Sequence, residues 1–200
     1  MKKIMFNDAY RYTKAVLDRR KTKTRRICRE QHWSFSDLTN ANINHSYIFE
    51  RPPYEIGEIV AIAQSYNDAG FNPELPLMEA NGLGGYVRTE LAPGWTNKMF
   101  VRADLMPNQI QFTNLHVERL QEISDDDCIA EGIEKVEECR NLYCQPIFHK
   151  SGKVSVITGD TPREVYSKVI NRIYGKDTWE RNPFVFAYDF ILIEGDERRQ

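Results

Sequence analysis

The closing stretch NPFVFAYDFILIE, residues 182–194, sets aromatic and aliphatic residues in near alternation and reads as one long terminal strand. Such a strand leaves hydrogen-bonding edges that only other strands can satisfy, so the rest of the chain must supply a sheet. Candidates are short and bounded by turns. Residues 58–66 follow an EIG turn, and further strands are predicted over 99–103 and 109–120, in KVSVI, and in KTKTRRI, where β-branched and charged residues alternate. Helices are fewer. Asn7 can cap a helix over 8–19 with the apolar stripe Ala9, Tyr12, Val16 and Leu17. Ser124 caps a short one in SDDDCIAEG, which Gly132 closes. TPREVYSKVINRIYG carries the fullest helix signature, with Thr161 as cap, Pro162 first, Glu164 completing a capping box and Gly175 ending it.

Strands linked by turns rather than by regular helical crossovers predict an α+β fold, an antiparallel curled sheet or small barrel flanked by helices. The 200 residues suffice for one core, so one domain is expected over 1–200. A polar linker spans 30–50, and two insertions are expected at about 67–98 and 134–160. The first holds five of the eleven glycines, and its GLGGY reads as a flexible loop rather than a phosphate cradle, since no strand leads into it.

No apolar run is long enough for an exported leader or a membrane span, which predicts a cytoplasmic protein. The four cysteines form no C-x-x-C pair and read as reduced thiols; Cys139, Cys144 and His149 match no common zinc spacing, so neither metal nor cofactor is expected. Net charge is −2, which argues against indiscriminate polyanion binding. Its distribution is uneven. Residues 1–30 hold eleven Lys and Arg against three acids, while 118–138 hold nine acids against two bases. The segment RRKTKTRRI, residues 19–27, contributes six of those cations around two threonines.

Crowding by like charge lowers an ammonium pKa, so Lys21 can act as a general base and activate a neighbouring hydroxyl for attack on an acyl carbon. In a regular strand positions 21 and 24 face opposite sides, and Lys21 meets Thr24 only if the chain turns between them. The residues alone leave three readings open: catalysis, a phosphate or nucleic-acid patch, and a solvated helix end. No Ser-His-Asp, Walker, dinucleotide or H-E-x-x-H signature is present.

LDRRKTKTRRI resembles the hxGxKTxTxR signature of ASCH domains, members of the PUA-like superfamily of small β-barrels, with Arg19 where the family has Gly. YEIGEIVAIAQSY, VERLQEISDDDCIAEGI and TWERNPFVFAYDFILIE are similar to further family segments in family order, the last resembling longer, phage-associated members. The resemblance covers about half of the chain and neither insertion. It implies RNA binding or, by analogy with a compact bacterial branch, an amidohydrolase that removes acyl groups from N4 of cytidine. In that branch's pattern Lys21 is the base, Thr24 the nucleophile and Glu131 the assisting carboxylate. Arg20, Thr22, Arg25 and Arg26 become candidate ligand contacts. Because Arg25 and Arg26 project oppositely from a strand, one should hold ligand while the other braces the fold, against Asp126 or Asp127. Trp179, Asn182 and Pro183 are expected in packing and a turn.

Three functions follow as expectations. The first is recognition of RNA or a modified nucleobase or nucleoside in a basic cleft. The second is metal-independent amidohydrolysis of an N4-acylcytidine-type nucleoside, which requires Lys21, Thr24 and Glu131 to converge. The third is a non-catalytic phage accessory module using the 67–98 insertion as its surface.

Overall fold

The computed structural model describes residues 1–28, 51–70, 93–139 and 141–193. The 30–50 linker, the GLGGY loop and most of the 67–98 insertion lie outside the described residues.

The terminal stretch is a ten-residue strand, β8 (Phe184–Ile193), and it is the spine of the molecule. It pairs antiparallel on one side with β4 (Gln109–Arg119) and on the other with β2 (Lys23–Ile27). Beyond β4 lie β3 (Ile59–Ile62), antiparallel to it, and β1 (Lys3–Ile4), parallel to β3, giving the order β1-β3-β4-β8-β2. A register shift between Phe112 and Asn114 bends β4 against β8. One side chain spans the outer edges: Arg26 on β2 donates from Nη2 to the carbonyl of Met5, next after β1, at 3.1 Å. A second sheet, order β5-β6-β7, is formed by β5 (Glu134–Lys135), β6 (Tyr143–Phe148) and β7 (Val154–Gly159). The fold is mixed α+β.

The helices seat as their caps dictate, with one change. Asn7 accepts from the Ala9 amide, but the expected 8–19 helix splits into a 3-10 turn, Asp8–Tyr10, and α1 (Tyr12–Leu17), with Arg11 between them at φ 52°. Tyr10 and Tyr12 are both buried and stack with centroids 5.4 Å apart. Residues i and i+2 of a continuous helix point to different sides, so burying both together requires the break. Then come α2 (Asp125–Ala130), capped by Ser124, α3 (Pro162–Tyr174), capped by Thr161, and α4 (Thr178–Arg181). Glu164 bonds the Asp160 amide instead of closing the expected box on Thr161. Among the described residues no helix is long and apolar enough to cross a membrane.

Two strand expectations change. The regular strand at 58–66 is confined to β3; beyond it the Ala63 amide still donates to the Ile4 carbonyl at 2.9 Å, and the chain stays buried to Tyr66. Residues 99–103 form no strand; Asn97 instead caps a 3-10 turn, Lys98–Phe100, leaving Met99 and Phe100 exposed. The 134–160 insertion holds the β5-β6-β7 sheet, of which only the KVSVI strand is legible in the sequence. One apolar cluster joins both sheets to α3, through residues such as Ile62, Phe112, Val185, Ile147 and Val165. Aromatic rings line its centre: Phe112 lies 4.7 Å from Tyr54 and 4.9 Å from Tyr188 between centroids.

Candidate active site

The basic segment leaves α1 through a left-handed residue, Arg19 at φ 60°, in the position where glycine would be the easy choice. The amides of Arg20 and Lys21 both reach back to the Ala15 carbonyl, at 2.9 and 3.0 Å. This turn lies before β2 begins, so the opposite-face rule of a regular strand does not separate Lys21 from Thr24. The Thr22 amide then donates to the Ala130 carbonyl at 2.9 Å, fastening the turn to the end of α2.

That fastening delivers Glu131, the residue that ends α2, to Lys21. Both are almost fully buried, at 5% and 2% exposure. Lys21 Nζ donates to Glu131 Oε2 at 2.6 Å, to the Glu131 carbonyl at 2.7 Å and to the Lys23 carbonyl at 2.8 Å, which occupies all three of its N–H groups. It also sits 4.7 Å from the centroid of the Tyr12 ring. Burial pushes the Lys21 ammonium below its ordinary pKa, against the opposing pull of the Glu131 charge. Thr24, on β2, is 6% exposed, and no hydrogen bond to its hydroxyl is made among the described residues.

The remaining cations separate by strand parity. Lys23 and Arg25, two residues apart on β2, both reach Asp127 of α2. Arg25 uses every nitrogen: Nε on Glu118 at 2.6 Å, Nη2 on Asp127 at 2.7 Å and Nη1 toward Glu131 at 3.4 Å. Burial opposes its charge, but these carboxylates outweigh burial and hold its pKa above the ordinary value. Arg25 is therefore the bracing arginine, with Asp127 as its partner. Arg20 is instead on the surface, paired with Glu134 at 2.9 Å, and Thr22 is exposed; neither borders the site, because the turn at Arg19 points them outward.

Lys21, Thr24, Arg25, Arg26 and Glu131 border a single cavity of about 310 Å³. Its opposite wall comes from α3, through Tyr166, Val169, Ile170, Ile173 and Tyr174, with Phe6 and Tyr12 completing it. Motif and charge patterns in the sequence do not single out these wall residues. Their signal is nonetheless present in the spacing of α3, where positions 166, 169, 170, 173 and 174 form one helical stripe carrying two tyrosines. Burial, then the Glu131 charge, push the Tyr12 and Tyr166 hydroxyls well above their ordinary pKa, so both remain neutral donors. Trp179 and Asn182 stand apart from the cavity: Trp179 packs edge-on against Tyr166 at 6.3 Å, and Asn182 Oδ1 accepts from the Gln121 amide at 2.8 Å.

Among the described residues no group of three His, Cys, Asp or Glu side chains could hold a metal ion. His149 hydrogen-bonds Ser155 Oγ at 2.8 Å. The arrangement can bring a buried amine, a carboxylate and an unbonded hydroxyl against one small ligand held over aromatic rings. Comparison with protein-family models, curated proteins and solved structures finds no match.

Proposed function

We propose that the chain is an ASCH-type, PUA-like barrel protein that hydrolyses the amide of a small acylated nucleoside, such as an N4-acylcytidine, in this cavity. The carrying observation is the convergence of Lys21, Thr24 and Glu131 on one space of about 310 Å³. That is the lower end of the range of small-ligand sites, and the apolar, aromatic wall suits a planar base. The Arg26 to Met5 tie between outer strands supports the barrel.

The chemistry starts from the ion pair. Lys21 passes a proton to Glu131 across their 2.6 Å contact, a transfer eased by the burial that disfavours the ammonium charge. The neutral amine takes the Thr24 proton as Oγ bonds to the amide carbon. Collapse breaks the C–N bond while Glu131 returns its proton to the leaving nitrogen, giving acyl-Thr24, a protonated Lys21 and an ionised Glu131. Water then attacks, giving a proton to Glu131; Lys21 protonates the departing Thr24 oxygen, the acid leaves, and transfer from Glu131 to Lys21 restores the pair.

RNA binding draws less support from the same geometry. Arg20, Lys23 and Arg25 are each paired with carboxylates, which leaves little uncompensated charge for a phosphate chain. Binding without turnover is favoured by one observation, the full occupation of the Lys21 N–H groups.

The test is incubation with a panel of N4-acylated cytidines and short RNAs. Wild-type protein should release cytidine, and Lys21→Ala or Thr24→Ala should lower the rate by about 100-fold or more. Hydrolysis that survives Lys21→Ala removes Lys21 from the mechanism. Salt-sensitive RNA affinity with no hydrolysis moves the assignment to RNA recognition.

A further inference from the structure

Of the cations at positions 20–26, Arg26 alone has no carboxylate within ion-pair distance among the described residues. Its Nη2 is bonded to the Met5 carbonyl at 3.1 Å. Its Nε is buried and has no partner among the described residues. A buried donor left open is rare in folded proteins and calls for an explanation. Strand parity puts Arg26 on the face of β2 that carries Thr24, opposite the Lys23 and Arg25 pair that engages Asp127. Arg26 and Thr24 both border the cavity.

We infer that the ligand of this cavity carries an anionic oxygen group that Arg26 holds, so the preferred substrate is a charged acyl-nucleoside rather than a neutral one. The inference rests on the cavity being the ligand site. A guanidinium presents parallel N–H donors that match phosphate or carboxylate, and of the two bordering arginines Arg26 carries the charge that no carboxylate neutralises among the described residues. The Arg25 charge is already met by Glu118, Asp127 and Glu131. The anion has two possible sources, a phosphate on the sugar or a carboxylate on the acyl arm.

Calorimetry on the full chain separates them. Cytidine against cytidine 5′-monophosphate tests the phosphate; N4-acetylcytidine against N4-succinylcytidine, in a Thr24→Ala background that prevents turnover, tests the carboxylate. One anionic member should bind about 10- to 100-fold more tightly than its neutral counterpart. Arg26→Gln should bring the ratio of anionic to neutral affinity down toward one, while Arg26→Lys keeps part of the preference. Equal affinity for neutral and anionic members with Arg26 intact, or a ratio that survives Arg26→Gln undiminished, overturns the inference. If Arg26→Gln fails to fold, the two affinity ratios measured with Arg26 intact still decide between preference and indifference. The assay reads binding alone. A protein that prefers the anion through Arg26 yet hydrolyses no acylcytidine refutes the amidohydrolase and keeps this inference, and hydrolysis without anion preference does the reverse.

Discussion

Replacing Glu131 by Gln keeps the volume and one acceptor oxygen but removes the charge facing Lys21. Two unit charges 2.6 Å apart attract by about 6 kcal/mol at an effective dielectric constant of about 20. Arg25 is little affected, since Glu118 and Asp127 hold it at 2.6 and 2.7 Å while its contact with Glu131 is 3.4 Å. The loss falls on Lys21, which retains two backbone carbonyls. Removing one partner of a buried pair typically costs about 3–5 kcal/mol. A ceiling follows from titration: the variant can shed the Lys21 proton, which from an ordinary pKa of 10.5 costs about 5 kcal/mol at pH 7 but about 1.4 kcal/mol at pH 9.5. A lysine whose folded pKa lies below its unfolded one binds fewer protons when folded, so stability rises with pH between the two values. Urea unfolding of wild type and Glu131→Gln should therefore differ by about 3–5 kcal/mol at pH 7, equivalent to a melting shift on the order of 10 °C, and the gap should narrow at pH 9.5. A difference under about 1 kcal/mol at pH 7, or one that does not narrow with pH, refutes the buried pair.

Asp127 gives the acid counterpart. Burial raises its pKa, but the Arg25 and Lys23 contacts overcome burial and hold it below the ordinary 3.8, so its stabilisation is full above that value and is lost as pH falls through the lowered one. Asp127→Asn should flatten the acid limb of stability measured by urea midpoints from about pH 5 down to pH 2; an unchanged limb counts against the brace. Burial, reinforced by the Glu131 charge, pushes the Cys128 thiol up to about 12, and Cys139 is exposed. Iodoacetamide at pH 8 followed by peptide mass analysis should find Cys139 alkylated and Cys128 untouched until denaturant is added. Gly132 sits at φ 109° with an added Cβ only 3.1 Å from Tyr12 Cε1, so Gly132→Ala should cost about 1–3 kcal/mol in urea unfolding; an unmoved midpoint would show that the turn adapts.

What could be read from the residues followed from local chemistry. The caps Asn7, Ser124 and Thr161 and the stops Gly132 and Gly175 act within a few residues of themselves, and they mark real boundaries. The alternation of β8 depends on nothing beyond its own pleat. The break at Arg11 is different, because it is imposed by burying Tyr10 and Tyr12 together. The same holds for the truncation of β3, whose length is set by the strands available to pair with it. In β6, Pro146 and Gln145 interrupt an apolar pattern, and that strand exists because β5 and β7 flank it. At the site, Lys21 stands out by its crowding among cations and Thr24 by lying beside it, whereas Glu131 is reached only through the family resemblance, since nothing local marks one acid among nine. The α3 wall escapes notice because an apolar helical stripe looks the same whether it faces a core or a ligand.

Charge segregation along the chain has a consequence that neither segment shows alone. A block of cations near the start and a block of acids after position 118 could have formed two separate solvated faces. Folding instead joins them, because the turn at Arg19 and the end of α2 meet through the Thr22 to Ala130 bond. Every pairing made there removes a cation from the pool available to an outside anion, so the sequence-level positive charge overstates what a ligand meets. Period-two alternation on β2 then sorts the remainder: the odd positions Lys23 and Arg25 are engaged by Asp127, while the even positions Thr24 and Arg26 border the cavity with no carboxylate partner among the described residues. A one-residue slip of β2 against Tyr188 and its neighbours on β8 would exchange those roles, turning the acids onto Thr24 and Arg26 and burying the site's polar groups where no ligand reaches. The register of one short strand thus decides whether this cluster is an inert salt-bridge network or a site with chemistry left over.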